Sequence, residues 1–357
     1  MDTTPRPDQA VLFEPQAGMP VSDQGVLHDL FAATRRPMPI VWALLALFIG
    51  VAGLVVPGQP AGFTGPGLAT AVGLLTLVQT FPPHLFLSSG EFAALAASPT
   101  RQVVLGEGEL RQAGRVVGIR LPDEDRWVVG RLPATDAMML ARLRRVWVFG
   151  PSPGERVGVL VPGGSGPRVA RLAAAPPSGA ALVATPPAAQ PASPAEDPAV
   201  RLALRQRLLI SLVAVALNVL MIGLVTVDAR INRPAEPLFD NVRWVVPVAL
   251  FVLLLVLNLV GIGRIARAGR SERWTWTRVV VSDLRIVNAT RARLRLRVDV
   301  PRDEINLELY GAPALALAVY VSEQLWIPGE LRSTGSMIVG IPGAPAVGQM
   351  RVVKRPR

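Results

Sequence analysis

The stretch "RARLRLRV" runs from Arg291 to Val298 and alternates between arginine and apolar residues without a break. Successive side chains of a β-strand point to opposite faces. Read as a strand, it sets Arg291, Arg293, Arg295 and Arg297 on one side and Ala292, Leu294, Leu296 and Val298 on the other, against a core. The arginine side reads either as a solvated outer face or as a strip that binds anions. Lipid headgroups are the first ligand to consider, since a basic residue near an anionic leaflet gains roughly 1 kcal/mol. Nucleic acid is disfavoured, because the segment lacks the aromatic platform that single strands require. Trp274 and Trp276 fit a membrane interface better, where indoles partition.

Working outward, short alternating runs bounded by Gly, Pro and Asp predict further strands. They lie at Thr277–Asn288, Ile305–Gly311, Ser336–Ile341 and Gly348–Lys354, with an Ala/Leu-rich helix at Ala312–Leu325. An earlier segment has the same texture: "RQVVLGEGELR" (Arg101–Arg111), "GRVVGIRLP" (Gly114–Pro122), "RWVVGRLP" (Arg126–Pro133), "RVWVFG" (Arg145–Gly150) and "RVGVLVPG" (Arg156–Gly163). A helix is predicted over Ala134–Arg145, with Thr135 or Asp136 as its N-cap.

The two segments end on related phrases. "RVWVFGPSPGERVGVLVPG" (Arg145–Gly163) and "LWIPGELRSTGSMIVGIPG" (Leu325–Gly343) each run from a Trp through a Pro/Gly-rich turn and an apolar strand to Pro-Gly. Arg101 aligns with Arg278 and Trp147 with Trp326 at nearly equal spacing, and each segment follows an apolar stretch. The simplest expectation is an internal duplication of a two-helix hairpin plus a small α+β domain.

"RVVVSDLRIV" (Arg278–Val287) and "VDVPRDEINLEL" (Val298–Leu309) resemble bacterial membrane proteins built from tandem helical hairpins and pleckstrin-homology-like domains. That resemblance implies a β-sandwich or barrel used for binding, not catalysis. The two strands expected after the last helix depart from the pattern.

Four apolar runs complete the expectation: Pro39–Val56, Leu68–Leu87, Leu208–Val227 and Trp244–Gly263. A span of about 20 apolar residues crosses a hydrocarbon core of about 30 Å. No Asp, Glu, Lys or Arg occurs between Arg36 and Glu91. The fold class expected is therefore a multi-pass α-helical membrane protein of four spans carrying two small cytoplasmic β-rich (α+β) domains. The organisation reads as a polar tail (1–38), hairpin 1 (39–87), β-rich domain 1 (88–176), a Pro/Ala-rich linker (177–200), hairpin 2 (201–270) and β-rich domain 2 (271–357). A signal peptide puts its apolar run within the first 15–30 residues or so; here 38 residues precede the first run, which reads as a retained anchor. Arg35 and Arg36, Arg201, Arg205 and Arg207, and Arg264, Arg267, Arg270 and Arg273 flank the spans on one side. By the positive-inside rule both termini are expected in the cytoplasm of a cell-membrane protein.

Composition narrows the chemistry. Half of the 357 residues are hydrophobic, yet the net charge is +11, and Lys354 is the one lysine among 37 basic residues. There is no cysteine, which excludes disulfides, thiolate metal sites and cysteine nucleophiles, and His28 and His84 are the only histidines. No catalytic residue, metal site or cofactor is nominated. The glycine-rich "PGGSGP" (Pro162–Pro167) lacks the Lys-Ser/Thr of a phosphate-cradling loop, and the acidic "PDEDRW" (Pro122–Trp127) lacks an EF-hand pattern. The spans hold Gln79, Asn218 and Asn258 but no Asp, Glu, Lys or Arg, which disfavours coupled transport. Asn218 and Asn258, both mid-helix, are expected to form an interhelical polar pair. The leading expectation is a non-enzymatic scaffold presenting β-rich modules to a partner protein or to anionic headgroups. Its expected partners are the lipid bilayer and a protein not identified by sequence; a homo-oligomer is compatible. The alternative is a channel or passive transporter with a cytoplasmic β vestibule.

Overall fold

A computed structural model describes residues 12–33, 87–183, 193–232, 242–288, 291–300, 303–331 and 335–353. Described in chain order, a 3-10 turn (Val21–Asp23) leads into α1 (Gly25–Ala33) and α2 (Ser89–Ala97). Then come β1 (Thr100–Val104), β2 (Leu110–Ala113), β3 (Val116–Leu121), β4 (Arg126–Arg131), α3 (Ala134–Leu143), β5 (Arg145–Phe149), β6 (Arg156–Leu160), β7 (Arg168–Ala173) and β8 (Ala181–Leu182). Two long helices, α4 (Pro198–Asn232) and α5 (Val242–Gly269), precede β9 (Trp274–Arg278), β10 (Val280–Asn288), β11 (Arg291–Val300) and β12 (Asp303–Gly311). The chain continues through α6 (Pro313–Ser322), β13 (Gln324–Pro328), β14 (Ser336–Ile341) and β15 (Ala344–Val353).

The strands form two antiparallel sheets. Sheet one has the order β1-β5-β6-β7-β4-β3-β2-β8, and sheet two, read from its other edge, β9-β13-β14-β15-β12-β11-β10. Apart from β8 the connectivity is the same. In each half a ten-residue helix ends on a residue in the left-handed region, Arg144 (φ 50°) after α3 and Glu323 (φ 52°) after α6. The carbonyl of that residue accepts from the N–H just past the first strand, Leu105 at 2.7 Å and Val279 at 2.9 Å. The tight cap turns each helix straight into its next strand.

Both sheets and helices α3 and α6 line one continuous apolar core. It takes Val117, Ile119 and Val128 from sheet one, Leu294, Leu296, Leu309 and Val339 from sheet two, and Met139, Leu140, Leu315 and Val319 from the helices. A smaller cluster covers the other side of β5 and β6, where Trp147, Phe149 and Leu160 meet Leu27, Phe31 and Leu95. There the Phe31 ring stacks on Phe92 (4.6 Å) and meets Phe149 edge-on (5.3 Å), both favoured aromatic geometries. A capping box fixes the start of α2: Glu91 N–H donates to the Ser88 hydroxyl, and Ser88 N–H donates to the Glu91 carboxylate. That backbone donor holds the Glu91 carboxyl below its ordinary range, with help from the Ser88 hydroxyl and Arg156.

By contacts the chain divides into two compact units. Every described strand lies in one unit, and the middle reaches of α4 and α5, within Gln206–Ile265, lie in the other. Among the described residues two helical stretches, Pro198–Leu220 and Phe251–Gly269, are long and apolar enough to cross a membrane.

These findings correct the expected fold class. Among the described residues fifteen strands build two large sheets, and there are two candidate spans instead of the four of a multi-pass α-helical membrane protein. The expected spans Pro39–Val56 and Leu68–Leu87 lie outside the described residues, except Leu87, which is buried in the smaller cluster. Composition misled here because a high apolar content also fills sheet interiors: the core draws on Val, Ile and Leu from nearly every strand. Nor are the β segments two small separate domains, since the inner faces of both sheets meet one core. The expected internal duplication is withdrawn with them. The halves share a strand order, which short antiparallel connections can reach without copying a sequence. Strands in the same place differ in length, four residues in β2 against nine in β10.

Candidate anion-binding face

Strand β11 behaves as its alternation predicts. Ala292, Leu294, Leu296 and Val298 are buried, while Arg291, Arg295 and Arg297 are exposed and Arg293 half-buried. The structure brings these four arginines into the middle of a broader face. In the antiparallel register Arg293 lies opposite Arg285 of β10 and Tyr310 of β12, and Arg295 opposite Asp283 and Glu308. Across the next strand, Arg351 of β15 lies opposite Glu308. Residues directly opposite share a face, so Arg285 and Arg351 extend the strip on both sides. The register sets Asp299 and Glu304 at the far end of the β11–β12 hairpin.

Glu308 sits at the centre. Arg293 donates to its carboxylate from Nε at 2.6 Å and from Nη2, and Arg295 Nε stands 3.6 Å away. Tyr310 Oη donates to the second carboxylate oxygen at 2.6 Å. The Arg293 guanidinium also lies 5.8 Å from the Tyr310 ring centroid, within cation–π range. Partial burial opposes ionisation of Glu308, but the Tyr310 hydroxyl and the two guanidiniums prevail and hold its carboxyl below the usual range. The Glu308 hydrogen bond raises the Tyr310 phenol and further raises Arg293. Asp283 is engaged by Arg285 at 3.3 Å. A planar guanidinium matches the oxygens of phosphate or carboxylate in a forked geometry, so a fan of them with few internal anions recognises anionic groups.

The equivalent face of sheet one is covered in part, although Arg120, Arg131 and Arg171 stand exposed on it. Its counterpart of β11 is β3, where Gly118 faces outward with Trp127 beside it. A Cβ on Gly118 would lie 2.5 Å from Pro177 Cδ, so the chain after β7 packs directly onto this face. Trp127 is only 9 % exposed, and the Arg111 guanidinium lies 5.7 Å from its ring centroid. The segment expected to be a linker thus covers part of sheet one, and its β8 pairs with β2.

Of the other sequence-nominated residues, Asn218 is buried on α4. Asn258 on α5 donates its side-chain N–H to the Leu254 carbonyl one turn back in its own helix, at 2.8 Å. Trp274 and Trp276 belong to β9, and Trp276 lies opposite Trp326.

Two buried carboxylates have roles that sequence reading did not give: Asp136 was expected only as an N-cap, and Asp197 was not singled out. Asp136 lies in the first turn of α3, where Pro133 is the N-cap, and accepts from Ser165 N–H and Ser165 Oγ, each at 2.7 Å. Burial pushes its carboxyl up, although Arg168 at 3.8 Å and the Ser165 donors pull the other way. It pins the "PGGSGP" loop to a helix. Asp197 is fully buried and accepts from Ala199 N–H and Val200 N–H at the start of α4, and from Gly343 N–H at 2.5 Å. Arg142 of α3 donates to the Gly343 carbonyl at 2.8 Å, so the turn between β14 and β15 is held from both sides. The partners lie 29 and 146 residues away in sequence, beyond any local motif.

Among the described residues no group of three or more His, Cys, Asp or Glu is placed to hold a metal ion. A cleft of about 380 Å³ between α1 and β10 is lined by Val26, Asp29, Ser282, Asp283 and Tyr320. Among the described residues, fold and face define an antiparallel β-rich protein with a basic sheet face and two apolar helices of membrane-spanning length. Comparisons with protein-family models, curated proteins and solved structures give no match.

Proposed function

We propose that this protein is a membrane-anchored, non-enzymatic binding protein whose outer face on sheet two takes anionic lipid headgroups. The observation that carries the reading is the contrast between the sheets. Two faces of the same connectivity exist: on one, Pro177 packs over Gly118 and Trp127 is buried; on the other, Arg291, Arg295 and Arg297 stand exposed with Arg293 half-buried, flanked by Arg285 and Arg351. An open cationic strip is the part of the fold that local packing does not explain. Helices α4 and α5 supply the anchor. The start of α4 and the end of α5 meet at Leu204 and Gly269, 3.6 Å from a Cβ placed on the glycine, and carry Arg201, Arg205, Arg267 and Arg270. By the positive-inside rule that end faces the cytoplasm of a cell membrane, and the sheets, which join the helices there, are cytoplasmic.

The test uses the full chain in nanodiscs of neutral lipid, mixed with phosphatidylserine or phosphatidylcholine vesicles. Salt-dependent association with the phosphatidylserine vesicles alone is expected. Replacing all four β11 arginines by Gln should abolish it while leaving thermal stability within about 1 kcal/mol, the usual scale for exposed ion pairs. Unchanged association would sink the reading.

A further inference from the structure

Resting on that reading, we infer that Glu308 is an internal competitor that occupies the centre of the anion face and sets its affinity. A carboxylate here is not required by the strand. Its neighbours on the same side of β12, Asn306 and Tyr310, are uncharged, and the apolar side is formed by Leu307 and Leu309. Yet Glu308 receives Arg293 through Nε and Nη2, stands 3.6 Å from Arg295, accepts from Tyr310 at 2.6 Å and faces Arg351 across the next strand. It thereby collects the donor set that a phosphate monoester would use: one forked guanidinium, a second guanidinium and a phenolic hydroxyl.

Its side chain remains 13 % exposed, so the cluster opens to solvent and an incoming anion reaches the same donors. Arg295 is 54 % exposed and lies beyond hydrogen-bond distance of Glu308, ready to take the first contact. Binding then requires Glu308 to yield Arg293, or to share it. A singly charged, weakly accepting group competes poorly with the resident carboxylate. A dianionic phosphate monoester, with more charge and more acceptor oxygens, competes well. This donor set binds phosphomonoesters more tightly than carboxylates or phosphodiesters, which the outer arginines still attract. Such a group comes from a phosphatidate headgroup or from a soluble phosphomonoester, and the chemistry at the cluster is the same.

The experiment compares wild type, Glu308→Gln and the four-arginine Gln variant as full chains in neutral nanodiscs. Two arms are used: phosphatidate vesicles, with phosphatidylcholine as blank, and glycerol 3-phosphate in solution, with acetate as the carboxylate control. Glu308→Gln keeps the shape and removes the resident charge. It should tighten binding of the phosphomonoester about tenfold, an increment suited to one partly screened charge at contact distance. It should raise acetate binding by the same factor or less, since displacing one resident carboxylate costs every ligand alike and its remaining repulsion weighs more on a dianion. Tightening in the vesicle arm alone assigns a lipid source, and tightening in both assigns the phosphate group itself. Glu308→Ala should act in the same direction, which guards against a peculiarity of the glutamine. If Glu308 is only a cross-strand brace, both variants lower the melting temperature and leave anion affinity unchanged or weaker, and the inference is overturned. If the four-arginine variant loses binding while Glu308→Gln changes nothing, the face binds anions and this inference alone fails. If no variant binds in either arm, the broader reading fails with it.

Discussion

The two sheets run the same course and end up with different surfaces. In both, seven strands follow one connectivity, a ten-residue helix caps on a left-handed residue, and a Pro-Gly turn closes the last hairpin. On sheet one the chain beyond β7 folds back, Pro177 lands on Gly118, and Trp127 is buried with Arg111 over it. On sheet two β10, β11, β12 and β15 keep a basic outer side. Connectivity places strands; what lies on the outer face is set by other segments, as by Pro177 on sheet one. The closing turns differ in the same way. A buried aspartate serves each, but Asp136 comes from the neighbouring helix of the same half, whereas Asp197 comes from the start of α4 and ties sheet two to the base of a candidate span.

The comparison can be broken at several points. The largest effect is expected at Asp197. Asp197→Ala strands two helix N–H groups and that of Gly343 in a buried setting, at a cost of about 1 kcal/mol or more each, so a loss of about 3 kcal/mol should appear in denaturant unfolding. A result below about 1 kcal/mol would mean that the turn does not depend on this tie. Gly118→Val should open sheet one. The new side chain meets Pro177 at less than van der Waals distance, and overpacking of this kind costs about 1–3 kcal/mol. Faster cleavage around 177–183 in limited proteolysis and a red-shifted Trp127 emission would show the face uncovered; unchanged proteolysis would show that Pro177 does not close it.

Asp136 sharpens the comparison through pH. Burial raises its folded-state carboxyl above the unfolded value, so the folded state binds more protons. Its contribution to stability is fully present below the unfolded value near 3.8 and declines as pH rises through the raised folded value. Asp136→Asn should flatten that slope in melting temperature measured from acid to neutral pH; an unaltered slope would assign the titration elsewhere. The smallest effect is expected at Glu323, held at φ 52° where a side chain is disfavoured by about 1 kcal/mol. Glu323→Gly should gain up to about that amount in unfolding free energy, less what the exposed 3.4 Å pair with Arg278 contributes. The corresponding change at Arg144 should not gain, because its guanidinium donates to the Val183 carbonyl at 2.6 Å and holds β8 in place.

Part of this was legible in the residues. The alternation of Arg291–Val298, the helices near Ala134 and Ala312, and the strand at Ser336–Ile341 follow from local periodicity and appear where the pattern puts them. Strands β7 and β8 were not read, because "RVARLA" and "AL" carry too short or too mixed a pattern. Glu308 was half legible: the alternation of Ile305–Tyr310 turns it outward, but its place opposite Arg295 depends on a hairpin register that its own strand does not specify.

What the sequence by itself determined is what a period of two or a run of apolar residues can encode: which strands have a charged side, where helices lie, and two of the four apolar stretches expected to span a membrane. Tertiary structure alone decided that both sheets share one core, that Pro177 covers part of one face, that Asp136 and Asp197 grip distant turns, and that Glu308 occupies the middle of the arginines. The physical reason is range. A strand's two faces are distinguished by residues within a few positions, whereas a register, a covering segment or a buried cap joins groups as much as 146 residues apart, and the packing of the whole core selects among them.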